Sequence, residues 1–98
     1  MSDIVEFEWD ESKTQQCLRD RGFPFAFVVS AFADPDRRYE IDERWAYGEA
    51  RYRLYGRIDG RLFVVVYAVR GRTVRIISAR KANARERRIH GDKSSPEG

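Results

Sequence analysis

The chain has 98 residues, 42% apolar and 36% charged, with a formal net charge of +3; that length supports one modest hydrophobic core and excludes a second domain of similar size. One cysteine, Cys17, excludes an internal disulfide, and with His90 the only histidine no metal-ligand spacing is present, so neither a metal nor another cofactor is expected. Acidic Asp3, Glu6 and Glu8 are the reverse of a secretory leader's basic start, and the longest apolar run, Leu62 to Val69, is too short to span a bilayer, so a cytoplasmic protein with no membrane association is expected.

In chain order, Ile4 to Trp9 alternates with period two and puts Val5, Phe7 and Trp9 on one face of a short, half-buried strand. Asp10 is placed to cap a helix over 11–21, with Glu11 in its first turn and Gly22 as the left-handed residue that ends it. Pro24 suits a first helical position, and Phe25 to Ala33 is apolar nearly all round until Asp34-Pro35 stops it, which predicts a second, buried helix. Residues 39 to 44 carry a weak strand pattern through Tyr39 and Ile41, and Asp42 to Gly48 reads as loop.

From Arg51 the pattern sharpens. Arg51 to Arg57 alternates, Asp59-Gly60 is a two-residue hairpin turn, and Leu62 to Val69 is a continuous apolar run apt for a central strand covered on both sides. After a tight connection at Arg70-Gly71, Thr73 to Arg80 makes the third strand of an antiparallel meander. Asn83 and Glu86 resemble a capping box that opens a short basic helix, with His90 and Gly91 at its end. Residues 92–98 have no apolar side chain and read as a disordered tail. The expected architecture is α+β, one domain over 1–91: a small antiparallel sheet, two N-terminal helices on one face, and a short C-terminal helix.

Charge is segregated along the chain. Residues 1–50 carry six Lys/Arg against twelve Asp/Glu, residues 51–98 thirteen against four, and in the basic half Arg outnumbers Lys eleven to two. Arg is the better bidentate phosphate ligand, so an anionic partner is the natural inference and a merely solvated face the alternative. Arg51, Arg53, Tyr55 and Arg57 share one strand face, a basic stripe with an aromatic that suits RNA by holding phosphates and stacking on an unpaired base; ordinary cross-strand pairs are the alternative. Simple alternation puts Val74, Ile76, Ser78 and Arg80 on one face of the last strand and Arg75 on the other. Arg80, Lys81 and the amides after Asn83 then suggest an anion site, against an alternative in which Arg80 pairs with Glu86.

Metal-free RNA cleavage needs a base for the 2′-hydroxyl, cations around the crowded phosphate and an acid for the leaving oxygen. Glu49 is a candidate base or an ion partner of Arg51, and His90 a candidate proton carrier or a helix-dipole partner.

Phe7-Glu-Trp-Asp-Glu11, Arg21-Gly22, Ala31-Phe-Ala-Asp-Pro35, Gly48-Glu-Ala-Arg-Tyr52, Gly56 and Arg75-Ile-Ile-Ser-Ala-Arg-Lys-Ala82 with Glu86-Arg-Arg88 occur in order and together resemble the BrnT toxins. The resemblance implies a RelE-like fold, ribonuclease activity that arrests translation, and neutralisation by a ribbon-helix-helix antitoxin (BrnA-like), with operator DNA bound only through the toxin–antitoxin complex. It carries functional roles onto Glu49, Arg51, Arg80 and Lys81, with Arg75 beside them. Members often have His where Trp45 stands, a residue able to stack on a base, and many have Tyr where this chain has His90. Against the enzyme stands a non-catalytic module that binds nucleic acid or the antitoxin through the same surface.

Overall fold

The computed structural model describes residues 6–42 and 48–91. Five strands, β1 (Glu6–Trp9), β2 (Arg38–Asp42), β3 (Arg51–Ile58), β4 (Arg61–Arg70) and β5 (Thr73–Lys81), form one sheet in the order β1-β5-β4-β3-β2. The helices are α1 (Glu11–Arg21), α2 (Phe25–Val28), which runs on as a 3-10 segment over Val29–Ala33, and α3 (Ala84–Ile89). The α+β class is as expected, but the sheet is mixed: β1 lies parallel to β5, with Phe7 opposite Val74 and Trp9 opposite Ile76. Alternation shows that β1 is a strand without showing which strand it joins, because that pairing closes a loop of more than sixty residues.

Local chemistry sets the boundaries. Asp10 accepts hydrogen bonds from the backbone N–H groups of Ser12 (2.8 Å) and Lys13 (3.2 Å) at the start of α1, and Gly22, at φ 91°, ends it. The second helix is shorter than expected. After Val28 the chain continues to Ala33 in 3-10 geometry, with i to i−3 bonds from Phe27 N–H to Pro24 O and from the cap N–H of Val29 to Ala26 O flanking the α-helical turn, and the adjacent β-branched Val28 and Val29 favour no α-helical continuation. Asp59 (φ 53°) and Gly60 (φ 82°) form the β3–β4 turn. The next turn is centred one residue later than expected, at Gly71-Arg72.

The main core lies between the sheet and the two N-terminal helices. Phe23, Phe25, Val28 and Ala31 pack there on Leu54, Phe63, Val65, Val74 and Ile76, with Phe7 and Trp9 at its edge. Gly56 lets β3 approach the 3-10 segment: a Cβ at this position would stand 2.5 Å from the Ala31 carbonyl oxygen. Cys17 is buried in the same core, where its thiol donates to the Ala79 carbonyl (3.7 Å) and burial pushes its pKa up. A smaller cluster of Tyr55, Leu62, Val64 and Ala82 occupies the other side of the sheet beside α3. β4 is therefore central and has buried residues on both faces, as its composition implied. Trp45 and the tail beyond Gly91 fall outside the described residues.

Candidate functional site

The side of the sheet away from α1 and α2 carries the basic side chains. On β3, Tyr52, Leu54 and Ile58 belong to the helix-side core, so Arg51, Arg53, Tyr55 and Arg57 stand on the opposite face, as the alternation required. β2 sets Arg38, Glu40 and Asp42 opposite Tyr55, Arg53 and Arg51.

β5 departs from simple alternation. Its register against β4 slips between Val66 and Tyr67, so that Ser78 pairs with Val66 but Ile76 with Tyr67, leaving Ile77 as an extra residue. Val74 and Ile76 before the bulge and Ala79 after it all enter the helix-side core. The bulge reverses the parity, and Arg75 and Arg80 share the open face with the β3 stripe instead of lying on opposite faces. Lys81 goes the other way. Its cross-strand partner is Phe63, whose ring packs on Phe23 and Phe27, so Lys81 does not join Arg80 in one anion site.

Carboxylates are threaded through this face. At one end Arg70 donates two hydrogen bonds to Glu49 (2.9 and 3.2 Å), and Glu8 lies 3.3 Å from Arg75 and 3.9 Å from Arg70. The Arg70 hydrogen bond holds the Glu49 carboxyl below its ordinary value, helped by the charges of Arg70, Arg51 and Arg75. Glu49 thus bonds Arg70 with the Arg51 charge nearby, and it is ionised and weakly basic near neutrality. In the middle, Arg53 lies 3.6 Å from Glu40 and 4.0 Å from Asp42, and its buried Nε–H has no acceptor.

At the other end Arg80 and Glu86 form a bidentate pair, both contacts at 2.8 Å, while Glu86 also accepts from the Asn83 N–H and Asn83 caps the Glu86 N–H. The Arg80 hydrogen bond, more than any other cause, brings the Glu86 carboxyl down to about 2. The anion site expected at this helix start is therefore filled by the chain's own carboxylate. His90 stacks on Tyr55 with ring centres 3.7 Å apart and planes at 19°. The Tyr55 hydroxyl donates to Glu40 (3.1 Å), and with the residue 6% exposed the ring is packed rather than open for a base. Burial lowers the His90 pKa, opposed by the charges of Glu40 and Glu86, so its imidazole is neutral at pH 7. Arg57 donates from its backbone to Asp34 (2.7 Å) and from its guanidinium to the Gly91 carbonyl, tying β3 to the end of α3.

Glu49 and His90 cannot serve one phosphate together. His90 lies over Tyr55, six positions along the chain from Glu49, and at ~3.4 Å per strand residue even the four steps from Arg51 to Tyr55 cover roughly 13 Å. A proton carrier must sit within hydrogen-bond reach. Arg70, paired with Glu49 across 21 positions, and Arg38 and Glu40 on the weakly patterned β2 carry no local sequence signal that marks them as part of this face. Among the described residues no group of His, Cys, Asp and Glu is arranged to hold a metal ion, and no helix is long and apolar enough to cross a membrane.

The structure is a small α+β domain with one sheet face covered by α1 and α2 and the other lined by arginines that are largely paired with carboxylates. The chain belongs to the BrnT family: residues 9–86 match the model of the ribonuclease toxin BrnT of type II toxin-antitoxin systems. No curated protein matches the chain. The family is one of toxins that act as ribonucleases and are held in check by an antitoxin.

Proposed function

We propose that this chain is an active, metal-independent endoribonuclease, that RNA crosses the open sheet face, and that the cut is made at the end where Arg80, Arg53 and His90 gather. The observation that carries the proposal is the face shared by Arg51, Arg53, Arg75 and Arg80, which depends on the bulge at Ile77. His90 is a better candidate base than Glu49, because an imidazole starts nearer neutrality and burial keeps it unprotonated, while the Arg70 hydrogen bond holds the Glu49 carboxylate below its already low ordinary range. In the proposed step His90 takes the 2′-hydroxyl proton, the 2′-oxygen bonds to phosphorus, and the P–O5′ bond breaks. The products are a 2′,3′-cyclic phosphate and a 5′-hydroxyl whose proton comes from water. Arg80 and Arg53 stabilise the extra negative charge on the phosphorane. Arg80 reaches the phosphate by exchanging Glu86 for it, one bidentate anion for another.

Arg51 and Arg75 bind flanking phosphates in this scheme, and Glu49 keeps Arg70 aligned beside them. Lys81, on the opposite face, has no part in the cut. The antitoxin is proposed, on the motif resemblance, to carry a ribbon-helix-helix domain, and the complex rather than the toxin alone to bind operator DNA.

The test is incubation of purified protein with single-stranded RNA in excess EDTA. Fragments ending in 2′,3′-cyclic phosphate and 5′-hydroxyl are expected. Intact RNA, or 5′-phosphate ends that need added metal, would refute the proposal.

A further inference from the structure

Beside His90 lies an open cleft of ≈ 540 Å³ whose lining includes Asp36, Arg37, Arg38, Arg57, Ile89 and His90, so that three guanidiniums face one carboxylate. That volume falls within the roughly 300–1,000 Å³ of ordinary small-ligand sites. Arg37 and Arg38 are distinguished by their surroundings. Arg53, Arg70, Arg75 and Arg80 each have a carboxylate within 4.0 Å. Among the described residues Arg38 has no such partner, and Arg37 donates only to the Asp34 backbone carbonyl (3.1 Å). Arg57 is anchored by Asp34 and the Gly91 carbonyl and forms a fixed wall. Arg38 is close enough to His90 to lower its pKa. Ile89 is 61% exposed and gives the cleft an apolar side.

We infer that this cleft is a nucleotide subsite: Arg37 and Arg38 grip the phosphodiester next to the one that is cut, and the flanking base lies against Ile89. The inference rests on the placing of the cut at His90 proposed above and extends that site by two residues. A nucleotide matches both halves of the cleft, since its phosphate suits the Arg37 and Arg38 guanidiniums, neither of which is ion-paired within 4.0 Å among the described residues although Asp36 also lines the cleft, and its base is flat and largely apolar. The cleft also explains how RNA is held without first breaking an internal ion pair: the strand docks here and then competes with Glu86 for Arg80.

The test is fluorescence anisotropy with a labelled, uncleavable 2′-O-methyl RNA across a range of salt, using wild type, Arg38→Ala, Arg37→Ala/Arg38→Ala, and Arg19→Ala on α1 as control. For a single strand each lost phosphate contact reduces the slope of log affinity against log salt by about 0.7. Arg38→Ala is expected to weaken binding roughly tenfold or more and to lower the slope by one such step, the double variant by up to two, and Arg19→Ala by neither. Wild-type affinity and slope in the double variant would overturn the subsite, even if the RNA is bound and a cleavable substrate is cut. Loss of antitoxin binding with RNA binding unchanged would overturn it too, by marking the cleft as a protein contact. Failure of the wild type to bind or cut RNA would remove the ribonuclease reading itself, and the subsite with it.

Discussion

Glu86 links the α3 start to the sheet, and its ionisation is readable in stability. Its folded pKa, about 2, lies below the ordinary 4.5 because Arg80 and the Asn83 N–H bond the carboxylate. A depressed folded pKa means that the unfolded chain binds the proton more readily, so the contribution is complete above about 4.5 and is lost as pH falls toward about 2. Urea midpoints of wild type and Glu86→Gln are expected to differ by a constant amount above pH 5 and to converge on acidification; a gap independent of pH would show that only the cap geometry matters. His90 has the opposite charge logic and the same direction. Burial keeps its folded pKa below 6.5, so protonation works against the fold and stability falls as pH drops through and below 6.5. His90→Phe keeps a ring on Tyr55, and it is expected to remove that pH dependence while lowering the RNA cleavage rate by about 10² to 10⁴. Cleavage at the wild-type rate would reduce His90 to a packing residue.

At the scale of elements, β3, the Asp59-Gly60 turn and β4 were legible because strict alternation, a two-residue turn and a run apolar on both faces are local signals. The capping box at Asn83 and Glu86 was legible for the same reason. The faces of β5 were not. The bulge falls on Ile77, in a stretch with no glycine to mark it, and is fixed by the core fit of Val74, Ile76 and Ala79 on either side. Parity alone therefore separates Arg80 from Arg75, and adjacency in sequence groups Lys81 with Arg80, whereas the bulge joins Arg80 to Arg75 and leaves Lys81 on the other face. The ion pairs of Glu49 with Arg70 and of Glu8 with Arg75 link distant strands and leave no trace in local spacing. The contact of β3 with the 3-10 segment gives a sharper check on the fold. Gly56→Ala would put its Cβ 2.5 Å from the Ala31 oxygen and 3.0 Å from the Ala31 Cβ, both held by buried backbone. A loss of about 1–3 kcal/mol is expected, as for other overpacked positions, and chemical denaturation would measure it. An unchanged midpoint would mean that this approach is looser than described.

For the whole molecule, the acidic first half and basic second half do not remain apart in space. The sheet brings Glu8, Glu40 and Asp42 from the first half against Arg75 and Arg53 from the second. The open face is a lattice of paired charges more than a bare cationic surface, and RNA must displace carboxylates to occupy much of it. Such exchange makes binding sensitive to salt and selective for ligands that present several phosphates in register. The most direct measurement is the single-turnover RNA cleavage rate, with chelator present, of wild type, Arg80→Ala and Lys81→Ala. These two neighbours in sequence lie on opposite faces of β5. Arg80→Ala is expected to cut about 10² to 10³ times more slowly, the usual cost of removing a group that stabilises transition-state charge, and Lys81→Ala to stay within about threefold of wild type by the same reasoning. Equal losses in both variants, or a loss confined to Lys81→Ala, would contradict an active surface on the open face of the sheet.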